Sequence, residues 1–191
     1  MQELKERILQ DGRIIDNRIL KVDNFLNHQL DIALITEMGR EFAKRFAGVK
    51  VDRIMTVEAS GIAIAFAVAQ AMHNIPVVFG RKKQSLLTVE DKYHTPIYSF
   101  TKEETYEVLV SKRYLPAGQN ILIIDDFLAS GEAAMGMAEL VRQAKCQLAG
   151  IGIVIEKSFQ PGRQRLEKAG YKVESLARIA KFVDDKPVFL D

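Results

Sequence analysis

Two adjacent aspartates, Asp125 and Asp126, follow the apolar run Ile121 to Ile124 and stand just ahead of the small residues Ala129, Ser130 and Gly131. The run has the β-branched richness of a buried strand. Beyond the small residues, Ala133, Met137, Leu140, Val141 and Ala144 recur on one helical face. A helix that opens there presents N–H groups without intrahelical partners and the positive end of its dipole, which suit a phosphate. Small side chains let the backbone approach that phosphate, and Ser130 adds a hydroxyl. Two carboxylates just before the cradle are placed to accept hydrogen bonds from sugar hydroxyls. Phosphate below and hydroxyls above describe a ribose 5-phosphate. Solvated aspartates before an ordinary capped helix would account for a lone acidic pair. Buried strand, acidic pair, small turn and helix together are more specific.

The elements that must hold these residues are legible from periodicity. Helical signals lie at Gln2–Gln10, Asp31–Phe46, Gly61–Met72, Glu132–Lys145 and Arg163–Lys168, with Asp31 as a cap for the second. Strand signals lie at Arg53–Val57, Pro76–Phe79, Tyr106–Val110, Ile121–Ile124, Gly150–Ile155 and Tyr171–Ser175. Alternation through the middle of the chain predicts an α/β fold, a central, mostly parallel sheet flanked by helices. In such sheets ligands gather outside the carboxyl ends of the strands, where the aspartates fall. From Arg81 to Lys102 the periodicity fails, and so long an irregular stretch reads as a functional lid or a disordered segment. The helix carrying Ile62, Ala63, Ile64, Phe66, Val68 and Met72 is apolar nearly all round. That predicts burial on both sides, against the sheet and against a partner subunit, although core packing alone would also explain it.

Composition sets outer limits. The chain has 191 residues, enough for one domain with a substantial core, and neither repeats nor a linker divide it. A formal net charge of +2 gives no electrostatic reason to expect nucleic acid or a membrane as partner. The single cysteine, Cys146, excludes an intramolecular disulfide, and no signal-peptide pattern opens the chain, so a cytoplasmic location is expected. His28, His73 and His94 are scattered and suggest no protein-built metal site. Gly150-Ile151-Gly152 lacks the third glycine of a dinucleotide fingerprint.

The stretch "ILIIDDFLASGEA" resembles the phosphoribosyl diphosphate (PRPP) signature of the type I phosphoribosyltransferases. Where the usual form ends in Thr-Gly-Gly-Thr, this chain has Ser130-Gly131-Glu132-Ala133. "LKVDNFLNHQLD" near the start and "GIGIVIEKSFQPG" near the end carry the resemblance across the chain, toward the xanthine-using branch of that family. The resemblance implies the type I phosphoribosyltransferase fold as a single domain. Residues 1 to about 30 would contribute to a small purine-binding hood, and 81–102 would be a flexible loop. It implies transfer of ribose 5-phosphate from PRPP to N9 of xanthine, with release of pyrophosphate. Ala129, Ser130, Gly131, Glu132 and Ala133 would hold the 5′-phosphate, with Asp125 and Asp126 on the ribose hydroxyls as the catalytic pair. Glu58, Ala59, Ser60 and Gly61 would hold pyrophosphate. Leu20, Asn27 and Lys157 would meet xanthine. The loop cations Arg81 and Lys82, with Lys83, would bring charge onto pyrophosphate. Mg²⁺, held mainly by PRPP, and a homodimer are also implied.

Lys157 can only donate, so it would favour an oxopurine over adenine, whose amino group would meet it donor to donor. Guanine and hypoxanthine remain open as acceptors. The position where related enzymes carry a further aspartate is Ala129, so no general base is evident; xanthine's acidity reduces that need. A nucleic-acid-binding regulator of the same fold is the other reading, and it would need an added domain or a basic surface.

Overall fold

A computed structural model describes residues 1–82, 91–99 and 104–190. The chain opens with helix α1 (Gln2–Asp11), a short hairpin of β1 (Arg13–Ile15) and β2 (Ile19–Lys21), and a π-helical turn over Asp23–Asn27. Helix α2 (Ile32–Arg45), β3 (Arg53–Val57), α3 (Gly61–Ala71) and β4 (Val77–Gly80) follow. An antiparallel arm of β5 (Lys92–Ser99) and β6 (Glu104–Ser111) precedes β7 (Asn120–Leu128), α4 (Glu132–Gln143) and β8 (Gln147–Lys157). Helix α5 (Gly162–Lys168) leads to β9 (Val173–Val183) and β10 (Lys186–Phe189). The central sheet runs β10-β9-β8-β7-β3-β4, parallel throughout except for β10.

Why β7 is a strand is plain in its burial. Ile121, Leu122, Ile123 and Ile124 are all 0% exposed, as befits a parallel strand covered on both faces. Leu122 and Ile124 join a core shared with α1, α2 and α3. Ile121 and Ile123 point the other way, into a core with α4, the β5–β6 arm and Leu166 of α5. The helices expected from periodicity are present within one or two residues, and Asp31 caps α2 by accepting from the Leu34 N–H at 3.1 Å.

The departures have physical causes. Residues 92–99, expected to be irregular, form β5, paired residue for residue with β6. This arm turns Thr95 and Ile97 inward and leaves His94, Pro96 and Tyr98 exposed, a half-buried pattern diluted by charges and a proline. Arg81, placed by the sequence in the same irregular stretch, instead exchanges backbone hydrogen bonds with Leu109 at 2.9 and 3.0 Å. Lys83 lies outside the described residues. The outer face of α3, where a partner subunit is expected, carries Phe66 at 65% exposure near Ile32 at 67% in the single chain.

One polar cluster lies inside the fold. Glu156 of β8 is 1% exposed and accepts from Ser158 Oγ at 2.6 Å, Ser175 Oγ at 2.5 Å, Arg163 Nη2 at 2.7 Å and Arg178 Nε at 3.3 Å. Burial alone would raise its carboxyl, but the Arg163, Ser158 and Ser175 hydrogen bonds and the Arg163 charge outweigh it and hold the pKa at about 2. A carboxyl held that low stabilises the fold fully above its ordinary value of 4.5 and loses that contribution as pH falls through about 2. Denaturant titrations between about pH 5 and pH 2 should show wild type losing about 3 kcal/mol more than Glu156→Gln. Equal acid slopes would contradict the depressed carboxyl.

Candidate active site

The β7–α4 turn is held from behind by α5. Gly131, at φ +89°, is the left-handed N-cap of α4, a conformation that favours glycine. A Cβ there would come within 3.0 Å of Gly162 Cα, so the turn and the start of α5 touch backbone to backbone. Gly162 N–H donates to Ala129 O at 3.0 Å, and Arg165 Nη1 donates to Ser130 O at 2.7 Å and also to Glu132 Oε1.

Asp125 and Asp126 lie within the last four residues of β7, which runs on to Leu128 rather than stopping at Ile124. Asp125 is 7% exposed; Oδ1 accepts from the Asp126 N–H at 3.0 Å, and Asp126 Oδ1 accepts from the Phe127 N–H at 2.9 Å. Burial first, and the Asp126 charge second, push the Asp125 carboxyl well above the ordinary carboxylate range; the Asp126 N–H and Lys82 pull it partly back. A carboxyl so placed gains most from a ligand that brings hydroxyl donors or a cation to it.

The second turn, Glu58 to Gly61, ends β3 and lies beside Asp125: a Cβ on Gly61 would overlap Thr56 Oγ1 and sit 3.5 Å from Asp125 Oδ1. Thr56 is fully buried and its hydroxyl has no partner among the described residues. The Glu58–Ala59 peptide is cis. Glu58 accepts from the Lys82 backbone N–H at 2.6 Å and faces Arg81 Nε at 3.7 Å. Both cations therefore flank the end of β3, anchored to the sheet edge rather than carried on a free loop. The Lys82 ammonium stands 5.1 Å from the Tyr106 ring centroid, and Tyr106 is half-buried, its phenol raised by burial and then by the Asp125 charge.

Two cavities divide the purine-facing candidates. One, of about 460 Å³, is lined by Ala129 to Ala134 of the turn and helix together with Phe127, Lys157, Arg18 and Tyr106. Lys157 Nζ donates to Arg18 O at 3.1 Å; burial and then the Arg18 charge lower its pKa. The hairpin that supplies Arg18 is pinned by reciprocal bonds, Asn17 N–H to Asp185 Oδ1 at 2.9 Å and Asp185 N–H to Asn17 Oδ1 at 2.8 Å. The other cavity, of about 610 Å³, is apolar, lined by Asn27, Leu30, Phe66 and the turn residues Ala59 and Ser60 among others. Leu20 is 6% exposed in the core beside Gly12 and lines neither. So the structure joins Lys157 to the β7–α4 turn, while Leu20 and Asn27 stand apart from it.

Sequence reasoning missed Tyr106, Thr56, Arg18 and Arg165. Only Arg165 had a signal: Glu132 inside a would-be phosphate cradle calls for a neighbouring cation. Among the described residues no group of three acidic, histidine or cysteine side chains could hold a metal ion by itself.

A parallel sheet with two glycine-bearing turns at its carboxyl edge, an acidic pair between them and cations at hand defines a protein built for a phosphorylated sugar. The chain belongs to the phosphoribosyl transferase domain family, whose model matches residues 21–187. It is 52% identical over 189 residues to the xanthine phosphoribosyltransferase of Laribacter hongkongensis, spanning 99% of this chain and 100% of that one. With xanthine phosphoribosyltransferase 1 of Clostridium perfringens the identity is 54% over 189 residues, again 99% and 100% of the two chains. The crystal structure of adenine phosphoribosyltransferase from Thermoanaerobacter pseudethanolicus superposes with a TM-score of 0.74 at 23% identity, over 91% of this chain and 99% of that one, a likeness of fold.

The raised Asp125 carboxyl has a consequence for stability. The fold keeps that proton to higher pH than the unfolded chain does, so the contribution is full below about 3.8 and drains away as pH rises through the folded-state value. Asp125→Asn keeps the Oδ1 acceptor without the charge. It should raise the Tm of the ligand-free protein at pH 8 by about 2–4 °C per kcal/mol recovered, with the gain vanishing toward pH 4. A variant no more stable than wild type at pH 8 would contradict the raised carboxyl.

Proposed function

We propose that this protein transfers the 5-phosphoribosyl group of PRPP to N9 of xanthine, giving xanthosine 5′-monophosphate and pyrophosphate in purine salvage. The observation that carries the reading is the cavity of about 460 Å³ that holds both the β7–α4 turn and the Lys157 ammonium. Relatives at 52% and 54% identity, named for xanthine, support the acceptor.

In this reading Ala129 to Ala133 cradle the 5′-phosphate at the N-terminus of α4. Asp125 and Asp126 hold the ribose hydroxyls and fix C1′ for attack. The turn Glu58, Ala59, Ser60 and Gly61 receives pyrophosphate, with Arg81 and Lys82 facing its departing charge. The acidic pair offers the hard oxygen donors that Mg²⁺ takes; carried mainly by PRPP and met by Asp125 and Asp126, the ion would neutralise charge on the leaving pyrophosphate. The chain supplies position and charge, and the oxocarbenium-like carbon is trapped by the purine nitrogen. Xanthine's acidity suits a site with Ala129 where a base could stand. Lys157 has three N–H donors and gives one to Arg18 O, so the others are free to meet a ring carbonyl. The N-terminal segment forms the hood and reaches the Lys157 cavity through Arg18, while Leu20 packs in the core beneath it and Asn27 faces the neighbouring apolar cavity. A second copy covers Phe66, Ile32 and Leu30, making a cytoplasmic homodimer whose check is sedimentation at twice the chain mass.

Parallel kinetics with three purines test Lys157. A charge-assisted hydrogen bond is worth about 1.5–3 kcal/mol, so Lys157→Gln should lower kcat/KM for xanthine by about ten- to a hundredfold. Guanine and hypoxanthine, which carry no matching negative charge, should lose less, and the KM for PRPP should barely move. An unaffected xanthine rate would remove Lys157 from the pocket.

A further inference from the structure

Glu132 is out of place in an anion cradle. It is the first residue of α4, flanked by Ala129, Ser130, Gly131 and Ala133, and its carboxylate lines the same cavity as theirs. A phosphate dianion held by the α4 N-terminus would meet a like charge at close range. We propose that Arg165 is a positioning residue for this turn, neutralising Glu132 and setting the direction of the turn's amides; this rests on the turn being the 5′-phosphate site.

Two bonds from α5 define the turn's geometry. Gly162 N–H takes the Ala129 carbonyl at 3.0 Å, and Arg165 Nη1 takes the Ser130 carbonyl at 2.7 Å while also holding Glu132 Oε1. In a planar trans peptide the C=O and the following N–H point in opposite directions. Two successive carbonyls drawn toward α5 therefore turn the Ser130 and Gly131 N–H groups away from it. Gly162 admits the contact only as glycine, since a Cβ there would overlap Ala129 O.

The pair's location argues for a role in binding rather than in folding. Arg165 and Glu132 keep 41% and 29% of their side-chain exposure, and ion pairs so solvated add little to stability. The anchoring of α5 is done elsewhere, by Arg163, whose side chain is 19% exposed and bonded to the buried Glu156. Arg165 is thus free of the fold's main polar anchor and directed at the turn.

The test is Arg165→Ala in the full-length protein, with thermal unfolding, PRPP calorimetry and steady-state kinetics in parallel. Loss of the countercharge and of one clamp should raise the Kd and KM for PRPP about five- to tenfold, leaving the KM for xanthine within about twofold and the Tm nearly unchanged. The defect should shrink between low and high salt, because a bare carboxylate facing a phosphate is screened. Adding Glu132→Gln to Arg165→Ala should restore most of the PRPP affinity, and Arg165→Lys, which keeps charge without the fork, should fall between. Unchanged PRPP affinity in a folded, active Arg165→Ala protein overturns the proposal, as does an equal loss for PRPP and xanthine. No recovery in the double variant overturns the neutralising role. A wild-type protein that fails to bind PRPP overturns instead the reading of the turn on which the proposal stands.

Discussion

Everything at the site follows from one constraint on β7: it is covered on both faces, so polar chemistry can appear only at its end. Four consecutive side chains with no exposure leave no room for a charge before Asp125. At Asp125 the cover thins but does not vanish: the residue is 7% exposed, with Gly61 against its Oδ1 and the charge of Asp126 beside it. A carboxyl in that position is costly to ionise without a partner. Ligand hydroxyls, or a cation brought with them, are the natural partners. The same depth that makes the position unfavourable in the free protein makes it selective.

The neighbouring turns are shaped by close approach. Gly61 lets β3 end against Thr56 and Asp125, and Gly131 lets α4 begin against Gly162. Neither turn is rigid by its own chemistry. The β3 turn borrows Lys82 and Arg81 from just beyond the adjacent strand β4 through Glu58, and the β7 turn borrows Gly162 and Arg165 from α5. Helix α5 is only seven residues long and would be marginal alone. It is held by Leu166 in the core and by Arg163 on the buried Glu156. A charge network on the far side of β8 thus steadies a phosphate-sized turn on the near side.

What the sequence disclosed depended on how local the signal was. Asp125 to Gly131 could be read because strand, acids, turn and helix are contiguous, and the six strands inferred from apolar runs all exist. The arm strand Lys92–Ser99 escaped notice because only alternate residues of it are buried and Pro96 interrupts the run. The strands of the N-terminal hairpin are three residues each, too short for any period to show. Lys157 is 29 residues beyond Leu128 in sequence, and its place beside the turn comes from the parallel pairing of β7 with β8, which sets Leu128 opposite Glu156. Glu132 signals a cation near the turn, but only tertiary packing makes that cation Arg165, and Tyr106 arrives by packing with no sequence signal at all.

The most direct test of the account is product formation by the purified wild-type protein with PRPP and Mg²⁺, offered xanthine, guanine, hypoxanthine and adenine separately and resolved by chromatography. The account predicts xanthosine 5′-monophosphate with stoichiometric pyrophosphate from xanthine, slower nucleotide formation from guanine and hypoxanthine, and none from adenine. Adenosine 5′-monophosphate as the preferred product, or no nucleotide from any purine, would contradict it.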